Sequence, residues 1–388
     1  MRTTRRSTTL LSSLPLLLLV ACFGPVAPPQ HVEVRPHDVG MEHDVVPGAS
    51  VAPHGWEDVG AAEAAGQVVE PPGGESEAIA EGAGVRPASA SPIPADLAIA
   101  PDVESRLARF SPTPIEADLS SLSAEDRRVL ALVVEASRLL DPVFLRQVWE
   151  GNPGLARAIA GWSSGARGAA REYFELNFGP WDRLDELEPF IGSAPHPPGA
   201  GYYPPGMTRD ELEAWLAAHP GDREAFISPT TVIRRDGDGG LVAVPYSTAY
   251  RDHLEPAAAL LEEAAAETSN ASLSRFLRLR AAAFRSDDYY ESDLAWMDLD
   301  APVEVTIGPY ETYEDRLFGY KTAFESFVTV ALPAESAALD RYEAELPWLE
   351  RNLPIPDEHK NFERGSESTI RVVDEVFTAG DARAGVAT

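Results

Sequence analysis

A long segment near the start of the chain limits how much of the protein can fold. Residues 22–113 are rich in Pro, Gly, Ala and Glu, with few aromatic residues and no sustained helical or strand period. Such a sequence cannot bury enough apolar surface to offset the conformational entropy that folding removes. We therefore predict a disordered, charged tether over 22–113 and a folded region confined to 114–388.

The N-terminus has the pattern of a secretion signal. Residues 1–21 hold three arginines ahead of an apolar run, Leu10 to Val20, which is too short to span a membrane as a stable helix. The run closes on LVAC at 19–22, and Cys22 is the only cysteine in the chain. This resembles the bacterial lipobox, in which the thiol becomes diacylated as the signal peptide is removed. We predict export across the inner membrane and a lipid anchor on Cys22, with the protein in the periplasm, on the outer membrane or at the cell surface.

The charge of the chain excludes one class of partner. Asp and Glu number 62 against 32 Lys and Arg, for a net charge of −30. Cleavage of 1–21 removes three arginines and makes the charge of the mature chain −33. A polyanion repels phosphate, and no basic stripe interrupts the acidic background, so nucleic acid is excluded as a partner. A self-repelling, solvated surface explains this charge better than specific cation binding does.

Periodicity in 114–388 predicts an α+β fold that is mostly helical. Ser123 and Asp126 form a capping-box pattern, and Thr208 has the same position before a second helix. A glycine-rich loop at 236–240 separates two β-branched runs and predicts a hairpin. The predicted helices cover 124–140, 143–149, 153–177, 209–219, 247–267, 273–284 and 334–353, and the predicted strands cover 231–233, 241–244, 303–307, 324–330 and 369–373.

Common catalytic motifs are missing from this sequence. It has no His-Glu-x-x-His pair, no P-loop, no dinucleotide fingerprint and no Gly-x-Ser-x-Gly elbow. The histidines of the predicted folded region are too far apart along the chain to suggest clustered zinc ligands. Spacing and composition alone therefore predict only a secreted, acidic, helix-rich lipoprotein.

Several strings in the folded region indicate more. They are NFGPWD at 177–182, YPPG at 203–206, PY at 245–246, DLAWMD at 293–298, VEVTIGPYETYED at 303–315, AFESFVTV at 323–330, ELPW at 345–348 and AGDARAG at 379–385. In order and spacing they resemble the dipeptidyl-peptidase III family of zinc metallopeptidases, from Ile115 to the end of the chain, and the shorter bacterial members above all.

The resemblance implies a two-lobed protein whose cleft lies between a helical lobe and a lobe with a small β-barrel. Family members remove dipeptides from the N-termini of short peptides, using zinc held by a His-Glu-x-x-Gly-His helix and a later glutamate. Neither element is in this sequence, because both would follow the turn at 379–385. The resemblance therefore implies a chain interrupted at Thr388, with zinc needed by the full family protein but not bound here, and with no activity of its own.

The resemblance also implies one substrate-binding residue. The family uses a glutamate on the strand before the Ile-Gly turn to bind the free N-terminal ammonium of the peptide, and Glu304 is at that position. Strand alternation gives another interpretation, in which Glu304 is simply a solvent-facing residue. Two residues later many members have a substrate-contacting tyrosine, whereas this chain has Thr306, so the subsite differs.

Two further groups of side chains have alternative interpretations. Tyr310, Tyr313, Phe324 and Phe327 can line a cleft, although core packing is the commoner role of aromatic residues at these spacings. Glu311 and Glu325 can be paired carboxylates for acid–base chemistry, but ion pairs of these residues with Arg316 or Lys321 are favoured.

Two functions remain open on these grounds. The first is the N-terminal part of a lipid-anchored zinc dipeptidyl-peptidase, with short peptides as partners. The second is a non-catalytic peptide-binding or structural surface lipoprotein that is attached to the membrane in the same way.

Overall fold

The computed structural model describes residues 97–343, 345–363 and 371–384. The predicted signal peptide, Cys22 and most of the predicted tether lie outside these residues, so their prediction is not tested. Within the described part of the chain, no helix is long and apolar enough to cross a membrane.

The described residues form helices and three small antiparallel sheets. The sheets have two, two and three strands, and none closes into a barrel within the described ranges, so the barrel implied by the resemblance is not confirmed. The helices are α1 Val103–Leu107, α2 Ala124–Arg138, α3 Leu140–Val148, α4 Asn152–Ile159, α5 Gly165–Asn177, α6 Arg209–Ala218, α7 Arg223–Ile227, α8 Tyr246–Ala249, α9 Arg251–Glu267, α10 Ala271–Ser286, α11 Tyr290–Met297, α12 Pro333–Glu343 and α13 Leu346–Asn352. The strands are β1 Trp181–Asp182, β2 Glu188–Pro189, β3 Thr231–Arg235, β4 Leu241–Pro245, β5 Val303–Glu311, β6 Ala323–Ala331 and β7 Val373–Gly380.

Local sequence signals located several elements correctly. The Ser123 hydroxyl accepts a hydrogen bond from the Asp126 amide, and the Asp126 side chain accepts one from the Ser123 amide, as the capping box predicts. The Thr208 hydroxyl caps α6 through the Glu211 amide. Strands β3 and β4 form the predicted hairpin around the glycine-rich loop.

Residues 97–113, which composition assigned to the tether, are part of the folded region. Ile99 forms an antiparallel bridge with Ile191, Val103 is fully buried, and the ring of Phe110 packs edge-on against Tyr173 at 5.8 Å. The end of the predicted tether, 97–113, therefore includes a folded segment. Its apolar residues are few but well spaced, and the Pro- and Ala-rich average of the longer segment concealed them.

Other predicted elements differ from the observed ones. The helix predicted over 153–177 is two helices, because the chain turns at 160–164 and Gly165 adopts a left-handed conformation, φ 55°. Helix α11 was not predicted, and 334–353 forms two helices instead of one. The last strand is β7 rather than 369–373, of which 369–370 lie outside the described residues.

Two apolar clusters form the interior. The larger joins α2, α9 and α10 to the inner face of the three-stranded sheet, with Val133, Leu261, Phe276, Val305 and Phe324 buried together. The smaller joins α1, α3, α4 and α5 to the β1–β2 ribbon. Its large side chains are Phe144, Tyr173, Phe174, Phe178, Trp181 and Phe190.

Helices α2 and α3 cover one face of the three-stranded sheet, whose strand order is β5-β6-β7. The Ser137 hydroxyl of α2 lies 2.9 Å from the Ser326 hydroxyl of β6. Gln147 of α3 donates to the Thr322 carbonyl and accepts from the Phe324 amide. These buried bonds fix the start of the central strand on the helical layer.

Gly201 permits a close approach between the loop after the β1–β2 ribbon and the end of α3. Its amide donates to the Gln147 carbonyl at 2.7 Å, and a Cβ at this position would lie 1.9 Å from the Arg146 carbonyl oxygen. We expect Gly201→Ala to lower the free energy of unfolding by about 3 kcal/mol or more, because backbone must move. Gly237→Ala, with open space at the Cβ position, is the control and should change it by under about 0.5 kcal/mol. Chemical denaturation of both variants measures this, and equal stabilities would contradict the assigned packing.

Candidate functional site

The second face of the three-stranded sheet is not covered by α2 and α3. Strand alternation places Val303, Val305 and Ile307 in the core, and Glu304 and Thr306 on the opposite face. On β6, the cross-strand partners of Glu304 and Thr306 are Thr329 and Phe327. We call the surface formed by Glu304, Thr306, Phe327 and Thr329 the open face.

Glu304 is half-buried on this face and paired with a cation. Its side chain is 21% exposed, and its Oε1 lies 2.6 Å from Nη1 of Arg371, which also contacts Asp300 at 2.9 Å. Burial raises the pKa of the Glu304 carboxyl above its usual value, and the Arg371 charge opposes this shift. Glu304 is thus placed by strand alternation, but it is not a freely solvated surface carboxylate.

The four aromatic residues proposed for a cleft wall are in different environments. Phe324 is in the core, and the Tyr310 ring packs against the Arg280 guanidinium. Tyr313 is 75% exposed in the β5–β6 loop, and Phe327 is half-buried on the open face. The structure therefore places one of the four, Phe327, beside Thr306 and near Glu304.

Carboxylates gather at the other end of the open face, about 13 Å from Glu304 along the strand. Glu325 pairs with Gly308 on one side and Gly380 on the other, and it is 7% exposed. Burial, together with Asp381 and Glu311, raises the pKa of Glu325 to about 7. Burial and the nearby Glu314 raise the pKa of Asp381 to about 6, while Arg183 opposes the shift.

The expected ion pairs of Glu311 and Glu325 are not formed. Among the described residues, neither carboxylate has a salt bridge to Arg316 or Lys321. The Lys321 ammonium is instead fully buried and donates to the carbonyls of Phe226 and Ser228 and to the Thr231 hydroxyl. Burial lowers the pKa of Lys321 to about 7, and Asp315 opposes this. The predicted ion pair with Lys321 was therefore wrong, because three neutral oxygens bind the Lys321 ammonium.

Asp315 shapes the loop between β5 and β6. Its carboxylate accepts hydrogen bonds from the amides of Leu317, Phe318, Tyr320 and Lys321, at 2.9–3.1 Å, and one from the Tyr203 hydroxyl. These donors satisfy the buried Asp315 carboxylate. The loop therefore has a fixed shape. Glu311 and Glu325, on the two strands that it connects, lie at the same end of the sheet.

Asp141 plays the same role for the turn after β7, and sequence reasoning missed it. It accepts a hydrogen bond from the Gly380 amide at 2.8 Å and forms an ion pair with Arg383. Gly380 has φ 63°, and a Cβ there would lie 2.1 Å from the Phe324 carbonyl oxygen, so only glycine fits. The sequence feature that could have indicated this role is a single carboxylate, Asp141, in the otherwise apolar start of α3, LDPVF.

No group of three or more His, Cys, Asp or Glu side chains that could hold a metal ion occurs in 97–343, 345–363 and 371–384. His196 is the most deeply placed of the described histidines, and burial lowers its pKa to about 4. Its Nε2 lies 3.9 Å from Glu314, which is paired with Arg183. The described residues therefore do not fit a zinc site.

Comparison with known proteins identifies related chains. The model of peptidase family M49 matches residues 211–384. DPP III from Caldithrix abyssi is 51% identical with a TM-score of 0.70, and the match covers 74% of this chain and 54% of that one. Dipeptidyl-peptidase III from Corallococcus sp. strain EGB is 44% identical with a TM-score of 0.69, over 75% of this chain and 55% of that one. Nudix hydrolase 3 of Arabidopsis thaliana is 33% identical over 336 residues, 72% of this chain and 43% of that protein. The chain thus spans about half the length of these relatives.

The buried carboxyl of Glu325 predicts a pH-dependent stability. Its folded pKa, about 7, lies above the ordinary value of a glutamate, so the folded state binds more protons between these two values and loses stability as the pH rises through this window. We expect Glu325→Gln, which stays neutral, to become more stable than the parent as the pH rises from 5 to 8. Denaturation at several pH values measures the difference.

The control for this measurement is Glu213→Gln, on the exposed side of α6. Its difference from the parent should stay constant across the same pH range. A constant difference for Glu325→Gln as well would show that the carboxyl is not held in an unfavourable environment.

Proposed function

Because the chain belongs to the dipeptidyl-peptidase III family, peptidase family M49, we propose that it supplies the peptide-binding surface of an enzyme that removes dipeptides from peptide N-termini. The family consists of zinc metallopeptidases. The observation that carries the proposal is the position of Glu304, half-buried on the open face of the sheet that the family's motifs build. Short peptides with a free N-terminus are the proposed ligands.

Recognition would use the Glu304 carboxylate. A peptide ammonium can replace or join the Arg371 guanidinium at this carboxylate through a charge-assisted hydrogen bond. The partial burial of Glu304 strengthens such a bond, because water screens the charges less than at the surface. Thr306, next to it on the face, leaves room where a tyrosine would contact the substrate, so the proposed subsite accepts a bulkier side chain.

The zinc chemistry of the family is assigned to residues that this sequence does not contain. No His-Glu-x-x-Gly-His string occurs in 1–388, and the described carboxylates and histidines do not form a metal cluster. We propose that the chain alone binds peptide without hydrolysing it. Incubation with zinc and a dipeptidyl-naphthylamide should release no naphthylamine, and measured turnover would contradict this part of the proposal.

Peptide binding tests the role of Glu304. In a Cys22→Ser background, we expect a short peptide with a free N-terminus to bind more tightly than its N-acetylated form. Glu304→Gln should weaken binding of the free peptide roughly tenfold to a hundredfold, because one charge-assisted bond is lost, and should leave the acetylated peptide unaffected. Isothermal titration calorimetry measures both constants.

The control variant is Glu263→Gln, an exposed carboxylate on α9. It removes the same charge from the protein and should change neither constant. An equal loss for both variants would indicate general attraction between a peptide and an acidic protein. Equal affinity of the parent for free and acetylated peptides would remove Glu304 from the proposal.

The lipobox-like sequence supports a lipid anchor on Cys22, and with it a location on the periplasmic, outer-membrane or surface side of the inner membrane. We expect the parent chain, expressed in a bacterial host, to sediment with membranes and to incorporate labelled fatty acid. Cys22→Ser should lose the label and appear in the soluble fraction, whereas Ser12→Ala in the same leader should not. Labelling of the Cys22→Ser chain would disprove this anchor.

A further inference from the structure

The Arg371 side chain bridges two carboxylates beside the open face. Its Nη1 lies 2.6 Å from Oε1 of Glu304, and its Nη2 lies 2.9 Å from Oδ1 of Asp300. The guanidinium thus donates one N–H to each acid, instead of the two parallel bonds that hold an arginine firmly on one carboxylate. Two carboxylates and one guanidinium leave one negative charge unbalanced, so the group attracts one further cation.

The two acids differ in how freely their side chains can move. Glu304 is 21% exposed on a paired strand, whereas the Asp300 side chain is 86% exposed. The backbone of Asp300 is nevertheless held, because its amide donates to the Ser272 hydroxyl at 3.0 Å and its carbonyl accepts from the Asn270 side chain at 2.8 Å. Asp300 can therefore keep Arg371 as a partner when Glu304 takes another one.

The backbone next to Arg371 is anchored, so a change of partner requires movement of its side chain alone. The Val372 amide donates to the Ser336 hydroxyl at 3.1 Å, and the Val372 carbonyl accepts from the Leu332 amide at 2.8 Å. The Arg371 side chain is 22% exposed, so water can solvate the guanidinium as it turns. Ion pairs that solvent reaches contribute little net stability, so this pair can open.

A peptide ammonium has to share the Glu304 carboxylate with Arg371 or displace it. Within the described ranges, Arg371 is the one side chain that pairs with this carboxylate. Two cations on one carboxylate repel each other, and the partial burial of Glu304 limits the directions from which a second donor can approach. Displacement is therefore favoured over sharing.

We propose that Arg371 is an internal competitor of the peptide N-terminus, which covers Glu304 in the free protein and keeps only Asp300 when a peptide binds. This exchange rests on the proposed function, because it requires that a peptide ammonium bind Glu304. It makes Arg371 a specificity-determining residue, since a ligand without an ammonium cannot take its place. The apparent affinity for a peptide is reduced by the fraction of molecules in which Arg371 covers Glu304.

Titration calorimetry with tetraalanine and N-acetyl-tetraalanine, which have no charged side chains, tests the exchange in a Cys22→Ser background. We expect Arg371→Gln to bind tetraalanine about threefold to tenfold more tightly than the parent, because the competitor is removed. Arg371→Lys keeps a cation at this position and should bind tetraalanine as the parent does. The affinity for N-acetyl-tetraalanine should be the same in all three chains.

The matched control is Arg275→Gln, which removes an arginine from another surface ion pair, the one with Asp298. It should change neither affinity, and tightening equal to that of Arg371→Gln would overturn the proposal by showing a general effect of charge. A preference for tetraalanine that Arg371→Gln leaves unchanged or weakens would overturn the exchange alone, because Arg371 would then position Glu304. Equal binding of both peptides by every chain would remove the proposed function, and the exchange with it.

The variant Asp300→Asn tests the second position of Arg371. In the parent chain it should weaken tetraalanine binding about threefold, because the displaced arginine loses the acid that keeps it. In the Arg371→Gln chain the same change should have a clearly smaller effect, since no arginine has to be held. Equal effects of Asp300→Asn in the two chains would overturn the proposed exchange.

Discussion

Helices α2 and α3 cover one face of the three-stranded sheet, and the candidate site lies on the opposite face. Strand β6 pairs on both sides, and its start is fixed to α2 and α3 by the buried bonds of Ser137 and Gln147. With one face committed to the core, strand alternation directs Glu304 and Thr306 to the other. A register shift of one residue would bury Glu304 among apolar side chains, so the packing of Val305 and Ile307 keeps this carboxylate available.

Carboxylates in this fold divide into two kinds according to the donors around them. Asp315 accepts hydrogen bonds from backbone amides, and Asp141 accepts from the Gly380 amide and pairs with Arg383, so these two carboxylates organise a loop and a turn, although burial raises the pKa of Asp141 as well. Glu325 and Asp381 have no salt bridge to another described residue, and burial beside like charges raises the pKa of each carboxyl. Buried carboxylates therefore fix a loop and a turn at one end of the sheet, and Glu325 and Asp381 beside them are carboxyls with raised pKa values.

Sequence alone predicted the elements whose signals are local. The caps at Ser123 and Thr208 and the β3–β4 hairpin depend on residues within a few positions of one another. Strand β7 was misplaced because its buried end, Ala379-Gly380, is defined by contacts with Phe324 and Asp141, which are distant in sequence. The family motifs likewise indicated Glu304 but not the partner that neutralises it, and Lys321 binds neutral oxygens that no local pattern marks.

Helix α3 connects features that the sequence presents separately. At its first turn Asp141 holds the turn after β7, and near its end Gln147 holds both β6 and, through its carbonyl, Gly201. Trp149, one residue beyond the helix, lines a groove together with Pro197 and Tyr203. Seven of the nine residues of this helix are buried, and close packing leaves little room for one part of it to shift alone. A displacement of Trp149 would therefore be accompanied by movement of β6 and of the turn after β7. The groove and the sheet thus both depend on the packing of α3.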